Sequence, residues 1–160
     1  MRMPHFENWS PQRGAEIIAA QAERKGAALP ILHALQEAFG YVPRDAVSLI
    51  ADALNLSRAE LHGIVSFYHD FRERPPGTHV LKLCRAEACQ AMGADALAAQ
   101  ARERLHVGWG ETSANGHVTL EPVFCLGLCA CAPAAMFDGK VVGGLDAARL
   151  GALLDQASRV

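Results

Sequence analysis

The stretch VFCLGLCACAPAAMFDGKVV, residues 123–142, contains three of the five cysteines of this 160-residue chain. The three cysteines follow an apolar run that ends a predicted strand, and the other two cysteines lie upstream in LCRAEAC (83–89). Asp138-Gly139 separates two short β-forming runs, which is a strong signal for a two-residue hairpin. We therefore expect a strand, a cysteine-bearing loop and a hairpin in that order.

Periodicity around this stretch predicts the order strand–helix–strand–hairpin–helix. THVLKLC (78–84) and HVTLEPV (117–123) are rich in β-forming residues and are predicted strands. ACQAMGADALAAQARERL (88–105) has apolar residues at helical spacing and is predicted to form one helix. Asp146 is the predicted N-cap of a last helix. This order indicates a small thioredoxin-like sheet with helices beside it.

The first 76 residues show helical signals instead. RPPG (74–77) then breaks the chain and marks a domain boundary. We predict an N-terminal helical domain over residues 1–76 and a thioredoxin-like domain over residues 77–160, which together make a fold of the α+β or α/β class. The predicted helix ends in the first domain are Ser10-Pro11, Lys25-Gly26, Gly40, Pro43 and a Ser57–Glu60 capping box.

Composition narrows the possible functions. A content of 51% hydrophobic and 20% charged residues is that of a folded domain, and a net charge of −2 disfavours a nucleic-acid-binding protein. No apolar run approaches the roughly 18–20 residues of a membrane span. The first 14 residues lack the apolar core of a signal peptide, so we expect a cytoplasmic protein. In that compartment, clustered cysteines indicate metal or redox chemistry more often than structural disulfides.

The cysteine spacing predicts a metal centre. Cys84 and Cys89 are separated by four residues, and Cys125 and Cys129 by three. If the two predicted strands are parallel neighbours, both pairs lie at the same edge of the sheet. Zinc sites favour tight cysteine knuckles, whereas a four-residue spacing also occurs in [2Fe–2S] proteins. The spacing alone leaves zinc and iron–sulfur open, and Cys131 is interpreted as a small hydrophobic residue.

Other residues have more ordinary interpretations. None of the seven histidines has a position that indicates a Rieske-type cluster. Arg85 is interpreted either as a solvent-facing loop residue or as a cation that raises the potential of a nearby cluster. A thiol–disulfide protein that uses Cys129 and Cys131 is an alternative function, although such proteins usually carry a CxxC motif, and a zinc-stabilised adaptor is a third. Phe67, Tyr68 and Phe71 are interpreted as core or interface residues. Together with His69 they are candidates for exposed positions, where they would contact a partner or, alternatively, cover the second domain.

Four stretches resemble one known family. This family comprises the thioredoxin-like [2Fe–2S] subunits of respiratory complex I, NAD-reducing hydrogenases and soluble NAD-dependent formate dehydrogenases. The resemblance runs from about Ala15 to the C-terminus, and CRAEACQAMG looks most similar to the gamma subunit of the molybdenum-containing formate dehydrogenases. The stretches are LPILHALQEAFGYVP (29–43), HGIVSFYHDFRERPPG (62–77), CRAEACQAMGAD (84–95) and GETSANGHVTLEPVFCLGLCACAPAAMFDG (110–139).

The resemblance implies a specific role. It assigns one [2Fe–2S] cluster to the chain, with Cys84, Cys89, Cys125 and Cys129 as its ligands, and leaves Cys131 outside the ligand set. It places the flavin- and NAD-binding site on a partner subunit, beyond which lies a catalytic subunit, for example a molybdenum formate dehydrogenase. The chain itself would be a non-catalytic electron-transfer subunit, so no catalytic residue is predicted.

Overall fold

The computed structural model describes residues 6–158, so the first five residues, on which the signal-peptide expectation partly rests, lie outside them. The chain divides between Pro75 and Pro76 into two compact units, which we describe separately. None of the helices in the described range is long and apolar enough to cross a membrane.

The first unit consists of helices. Gly40, Pro43 and the Ser57–Glu60 capping box mark helix ends as predicted. The first helix is shorter than expected, because it ends at Ala19 and the chain runs through turns as far as Lys25-Gly26. The helices are α1 (Pro11–Ala19), α2 (Ala28–Phe39), α3 (Arg44–Leu54) and α4 (Arg58–Phe67).

A single apolar core holds the four helices of the first unit together. Leu32, Leu35 and Ile50 are completely buried in it. Phe71 is also buried in this core, and is thus a core residue and not an exposed one, because the chain turns back after α4 and lays its ring beside His33 at 5.0 Å. Phe67, by contrast, is 72% exposed.

The second unit is a five-stranded mixed sheet with the strand order β2–β3–β1–β4–β5. The strands β1 and β3 are parallel, and every other neighbouring pair is antiparallel. The short strand β2 is absent from the sequence prediction. The strands are β1 (His79–Cys84), β2 (Glu111–Thr112), β3 (Val118–Val123), β4 (Ala135–Phe137) and β5 (Lys140–Val142).

Three helices complete this unit: α5 (Glu87–Ala91), α6 (Ala94–Leu105) and α7 (Ala147–Ala157). The prediction of one helix over 88–105 is wrong, because Gly93 adopts φ 90°, a left-handed conformation that ends α5 and begins α6. Asp146 caps α7 as predicted. Helices α6 and α7 bury their apolar faces against Leu81 and Leu120 of the two central strands.

Candidate metal centre

Two cysteine-bearing loops leave the same edge of the sheet. Cys84 is the last residue of β1 and pairs with Val123, the last residue of its parallel neighbour β3. The pairing continues one residue further, since the N–H of Arg85 donates to the Val123 carbonyl over 2.8 Å. The loops that carry Cys89 and Cys125 therefore begin side by side, as the sequence predicts for parallel neighbours.

Cys84 and Cys89 form the inner pair. Each is 2% exposed, and both belong to a small apolar cluster with Ala94 and Ala134. Burial acts to raise the pKa of both thiols, and the interaction between them lowers the pKa of Cys84 and raises that of Cys89. Cys89 is the third residue of α5, the short helix that follows the end of β1.

Cys125 and Cys129 form the outer, exposed pair, with their sulfur atoms 3.7 Å apart. Cys125 has φ 84° and Gly127 has φ 77°, both in the left-handed region that glycine tolerates best. This backbone path lets the Gly127 N–H donate to the Cys125 sulfur over 3.3 Å. The turn at Gly127 thus brings a backbone donor to this sulfur.

Backbone donors surround the Cys84 sulfur. Burial acts to raise the pKa of Cys84, but hydrogen bonds to its sulfur outweigh burial and the pKa lies below its ordinary value. The small and apolar residues that follow Cys125 in the sequence allow backbone N–H groups to approach sulfur atoms, and the fold determines which N–H groups do so. The donors are the N–H of Ala86, the Cys89 thiol, and the N–H groups of Cys125 and Leu126.

The pKa values of Cys89 and Cys129 are shifted in the direction opposite to that of Cys84. Burial and the hydrogen bond with Cys84 raise the pKa of Cys89, and the charges of Cys84 and Cys129 raise it further. The pKa of Cys129 is raised by its hydrogen bond with Cys125 and by the charge of Cys125. Burial and the charge of Cys84 raise it further. The four thiols of the two pairs therefore interact with one another, and a cation among them would relieve their mutual repulsion.

Cys131 differs from the other four cysteines in how it is held. It is exposed, so its interpretation as a buried small hydrophobic residue is wrong, and it ends a single 3₁₀ turn, Cys129–Cys131. Its contacts run through the backbone: its N–H donates to the Leu128 carbonyl over 2.9 Å, and its carbonyl accepts from the Gly144 N–H over 2.5 Å.

The Arg85 side chain is bound by neighbouring residues and does not extend freely into solvent. Its guanidinium donates to Asp95 over 2.9 Å and lies over the Trp109 ring, 5.3 Å from the ring centroid. Its carbonyl accepts from the Gln90 side chain over 3.0 Å. Arg85 thus ties the loop between the inner cysteines to α6 and to the chain before β2.

A hydrogen-bonded pair that the sequence analysis missed, the buried His79 and the exposed Asp138, lies at the other end of β1. His79 Nδ1 is 2.6 Å from Asp138 Oδ2, and the His79 ring stacks on Phe137. Asp138 also accepts from the Val80 N–H. This pair fastens the hairpin turn to β1 at the edge of the sheet opposite the cysteines.

The cysteines fit a cluster that is held by thiolates and hydrogen-bonded through its sulfurs. Iron–sulfur clusters take cysteine thiolates as ligands, and N–H groups that point at the sulfurs stabilise the negative charge. The two thiol pairs and the N–H donors around Cys84 and Cys125 have this character. Within residues 6–158, no group of three or more His, Cys, Asp or Glu side chains is arranged to hold a single metal ion, so the cysteines form two pairs and not one mononuclear site.

Comparison with known proteins agrees with this chemistry. Residues 14–158 match the family model described as thioredoxin-like [2Fe–2S] ferredoxin. An NADH-quinone oxidoreductase subunit of Mycobacterium tuberculosis is 37% identical over 76% of this chain and 48% of its own length. The NADP-reducing hydrogenase subunit HndA of Solidesulfovibrio fructosivorans is 31% identical over 81% of this chain and 76% of its own.

A solved structure has the same fold. The chain matches a crystal structure of an NAD⁺-reducing [NiFe]-hydrogenase in the H₂-reduced state with a TM-score of 0.68 and 27% identity, over 81% of this chain and 22% of that one. The chain thus spans about half the length of the mycobacterial relative and under a quarter of the hydrogenase chain.

Proposed function

The chain belongs to the thioredoxin-like [2Fe–2S] ferredoxin family, whose cofactor is a [2Fe–2S] cluster, and we propose that Cys84, Cys89, Cys125 and Cys129 hold this cluster. This proposal rests on one observation: two interacting thiol pairs lie at the ends of adjacent parallel strands. When bound, the cluster supplies one-electron transfer.

The side chains and backbone around the cysteines have separate tasks in this proposal. The burial of Cys84 and Cys89 keeps water from one side of the site. The N–H groups that point at Cys84 and Cys125 stabilise the thiolate form of these ligands. The exposed Cys125 and Cys129 leave the other side open, where a redox partner can approach.

We further propose that the chain is an electron-transfer subunit of a multisubunit NAD-linked oxidoreductase. Its neighbour would be the subunit that binds flavin and NAD. Support comes from the relatives, which are named as subunits of NADH-quinone oxidoreductases and of an NADP-reducing hydrogenase. The five free thiols suit a reducing compartment, so a cytoplasmic location belongs to the proposal.

The choice of parent complex is a finer proposal. The segment CRAEACQAMG (84–93) supports the gamma subunit of a soluble NAD-dependent formate dehydrogenase, with a molybdenum catalytic subunit beyond the flavin subunit. The equivalent subunit of complex I or of an NAD-reducing hydrogenase is the alternative. Purification of the tagged chain from its native host, followed by identification of the co-purifying subunits, decides between these complexes.

Chemical analysis and spectroscopy test the cofactor assignment. Anaerobically purified protein should contain about two irons and two sulfides per chain, as a [2Fe–2S] cluster requires. After reduction it should give one S = 1/2 EPR signal. Stoichiometric zinc without sulfide would contradict the proposal and favour the zinc-stabilised adaptor, and metal-free protein with reactive Cys129 and Cys131 thiols would favour a thiol–disulfide protein.

A further inference from the structure

The segment between β5 and α7 is bonded to the loop that carries the outer cysteines. The Gly144 N–H donates to the Cys131 carbonyl over 2.5 Å, and the Leu145 N–H donates to the Pro133 carbonyl over 2.8 Å. Leu145 is buried in the core of the second unit. These bonds anchor an exposed cysteine loop to a rigid part of the fold.

Gly143 brings this segment into direct contact with Cys131. A Cβ atom added at Gly143 would lie 2.8 Å from the Cys131 Cβ and 3.3 Å from the Cys131 carbonyl oxygen. Real Cβ atoms do not approach this closely, so one of the two segments would have to move. Cys131 therefore acts as a packing surface, through its Cβ and carbonyl.

Arg149, in the first turn of α7, holds the same two glycines from the other side. One guanidinium nitrogen, Nη1, donates to the carbonyls of Gly143 and Gly144 over 2.7 and 2.8 Å. The backbone of Arg149 is itself fixed, since its N–H donates to the capping carboxylate of Asp146 over 2.7 Å. Hydrogen bonds from a charged donor are stronger than those between neutral groups.

The path from Cys131 to the outer sulfurs is short. Cys131 and Cys129 share one 3₁₀ turn, which is closed by bonds from the Cys131 N–H to Leu128 and from the Ala132 N–H to Cys129. The Cys129 sulfur lies 3.7 Å from that of Cys125. Cys131 and Cys129 therefore belong to one short hydrogen-bonded turn, through which a displacement of Cys131 would act on Cys129.

We infer that Arg149 is a positioning residue for the cluster. It holds the Gly143–Gly144 segment against Cys131 and thereby fixes the direction of the Cys129 side chain. This inference rests on the proposed function, because it assumes that Cys129 is a ligand. Residues outside the ligand set that orient metal ligands typically change metal affinity by about 10–100-fold when they are replaced. The hydrogen bonds of the Arg149 guanidinium go to the backbone of the two glycines, so Arg149 would act on Cys129 through this backbone.

The test uses the full chain with its cluster. Arg149→Met keeps an unbranched apolar stem but removes both hydrogen bonds, and Arg149→Lys retains one cationic donor. The matched control is Arg104→Met, which removes the ion pair between α6 and Asp155 of α7 without touching the glycines. The measurements are the rate of cluster loss to excess iron chelator, the g values of the reduced protein, the reduction potential and the thermal unfolding temperature.

We expect Arg149→Met to lose its cluster about tenfold faster than wild type or more, with changed g values and a shifted potential. Arg149→Lys should lie between Arg149→Met and wild type, and Arg104→Met should match wild type in g values and rate. Gly143→Ala, which pushes the same turn from the other side, should reproduce the defect even where its unfolding temperature is unchanged.

Two results would overturn the inference. One is wild-type g values and cluster-loss rate in both Arg149→Met and Gly143→Ala. The other is an equal defect in Arg104→Met, which would show that α7 acts through stability alone. Wild-type protein that holds no [2Fe–2S] cluster would instead refute the proposed function, so the two failures are distinguishable.

Discussion

At the level of single residues, the outer cysteine pair combines backbone strain with exposure. Cys125 has φ 84°, a region in which residues with a Cβ are strained, and it lies beside the left-handed Gly127. The strained turn places one N–H on the Cys125 sulfur and brings a second sulfur within 3.7 Å. Such outliers often occur at functional sites, where the surrounding structure maintains them.

The ligand set can be tested residue by residue. Cys131→Ser should keep the cluster, because four thiolates complete a [2Fe–2S] centre and serine preserves the Cβ and carbonyl that Gly143 and Gly144 contact. Serine at Cys84, Cys89, Cys125 or Cys129 should abolish or strongly alter the visible and EPR spectra. A normal spectrum for Cys129→Ser together with a lost one for Cys131→Ser would show that the assignment is wrong.

At the level of secondary-structure elements, helix α4 begins with a complete capping box. The Ser57 hydroxyl accepts from the Glu60 N–H, and the Glu60 carboxylate accepts from the N–H and hydroxyl of Ser57. The backbone and side-chain hydrogen bonds from Ser57 lower the pKa of Glu60 below its ordinary value of 4.5. The stabilisation is therefore present above pH 4.5 and is lost as the pH falls through the lowered pKa.

Ser57→Ala should decrease the free energy of unfolding by about 1 kcal/mol at neutral pH, because it leaves an N–H of the first helical turn without a partner. Chemical denaturation followed by circular dichroism measures this change. Ser66→Ala is the matched control, since Ser66 lies on the same helix and its hydroxyl bonds only the Gly63 carbonyl. A loss for Ser66→Ala as large as that for Ser57→Ala would contradict the capping argument.

The β4–β5 hairpin depends on two left-handed residues, as its Asp-Gly sequence predicts. Asp138 has φ 48° and Gly139 has φ 78°. Gly139→Ala should cost about 1–2 kcal/mol of unfolding free energy, although no atom lies near the added methyl. Gly63→Ala, in the helix α4 and equally open, should instead stabilise the chain by about 0.5–1 kcal/mol. Thermal unfolding of both variants shows whether the backbone conformation of the glycine, and not the room for an added methyl group, determines the difference in stability.

At the level of the whole molecule, the first unit contributes no cysteine, and the part of it that the structure describes presents an exposed aromatic pair. Phe67 is 72% and Tyr68 is 44% exposed, and their rings meet edge to face at 5.1 Å. Gln36 fixes the chain beyond them, since its side chain bonds the Asp70 carbonyl and the Arg72 N–H. Aromatic residues are enriched at protein–protein interfaces, so we expect this pair to contact the flavin- and NAD-binding subunit.

Replacement of both aromatics should test this contact. The double variant Phe67→Ser, Tyr68→Ser should keep its cluster spectrum. Its affinity for the flavin- and NAD-binding subunit should fall at least about tenfold, because truncation of a central aromatic contact typically costs about 2 kcal/mol or more, which is roughly 30-fold in affinity. Titration of the purified partner by calorimetry measures the affinity. Val141→Ser, at an exposed apolar residue of the second unit, is the control. Undiminished binding of the double variant would refute the role of the aromatic pair.

Elements whose causes are local could be predicted from the order of residues alone. The capping box, the Asp-Gly hairpin, the glycine at the end of α2 and the cap of α7 each depend on a few neighbouring residues, and all of them were predicted. The approach of the two cysteine pairs also followed from sequence, because parallel neighbouring strands deliver their ends to one edge. The break at Gly93 was missed because helical periodicity continues across it.

Features that join distant parts of the chain became visible only in the folded structure. Arg149 reaches the cysteine loop through Gly143 and Gly144, and His79 meets Asp138 from 59 positions away. Phe71 is buried because the loop after α4 folds back onto α2. The same cause applies in each case. Burial and hydrogen bonding depend on which groups meet in space, and a local pattern of residue types does not specify partners that lie in other elements of the fold.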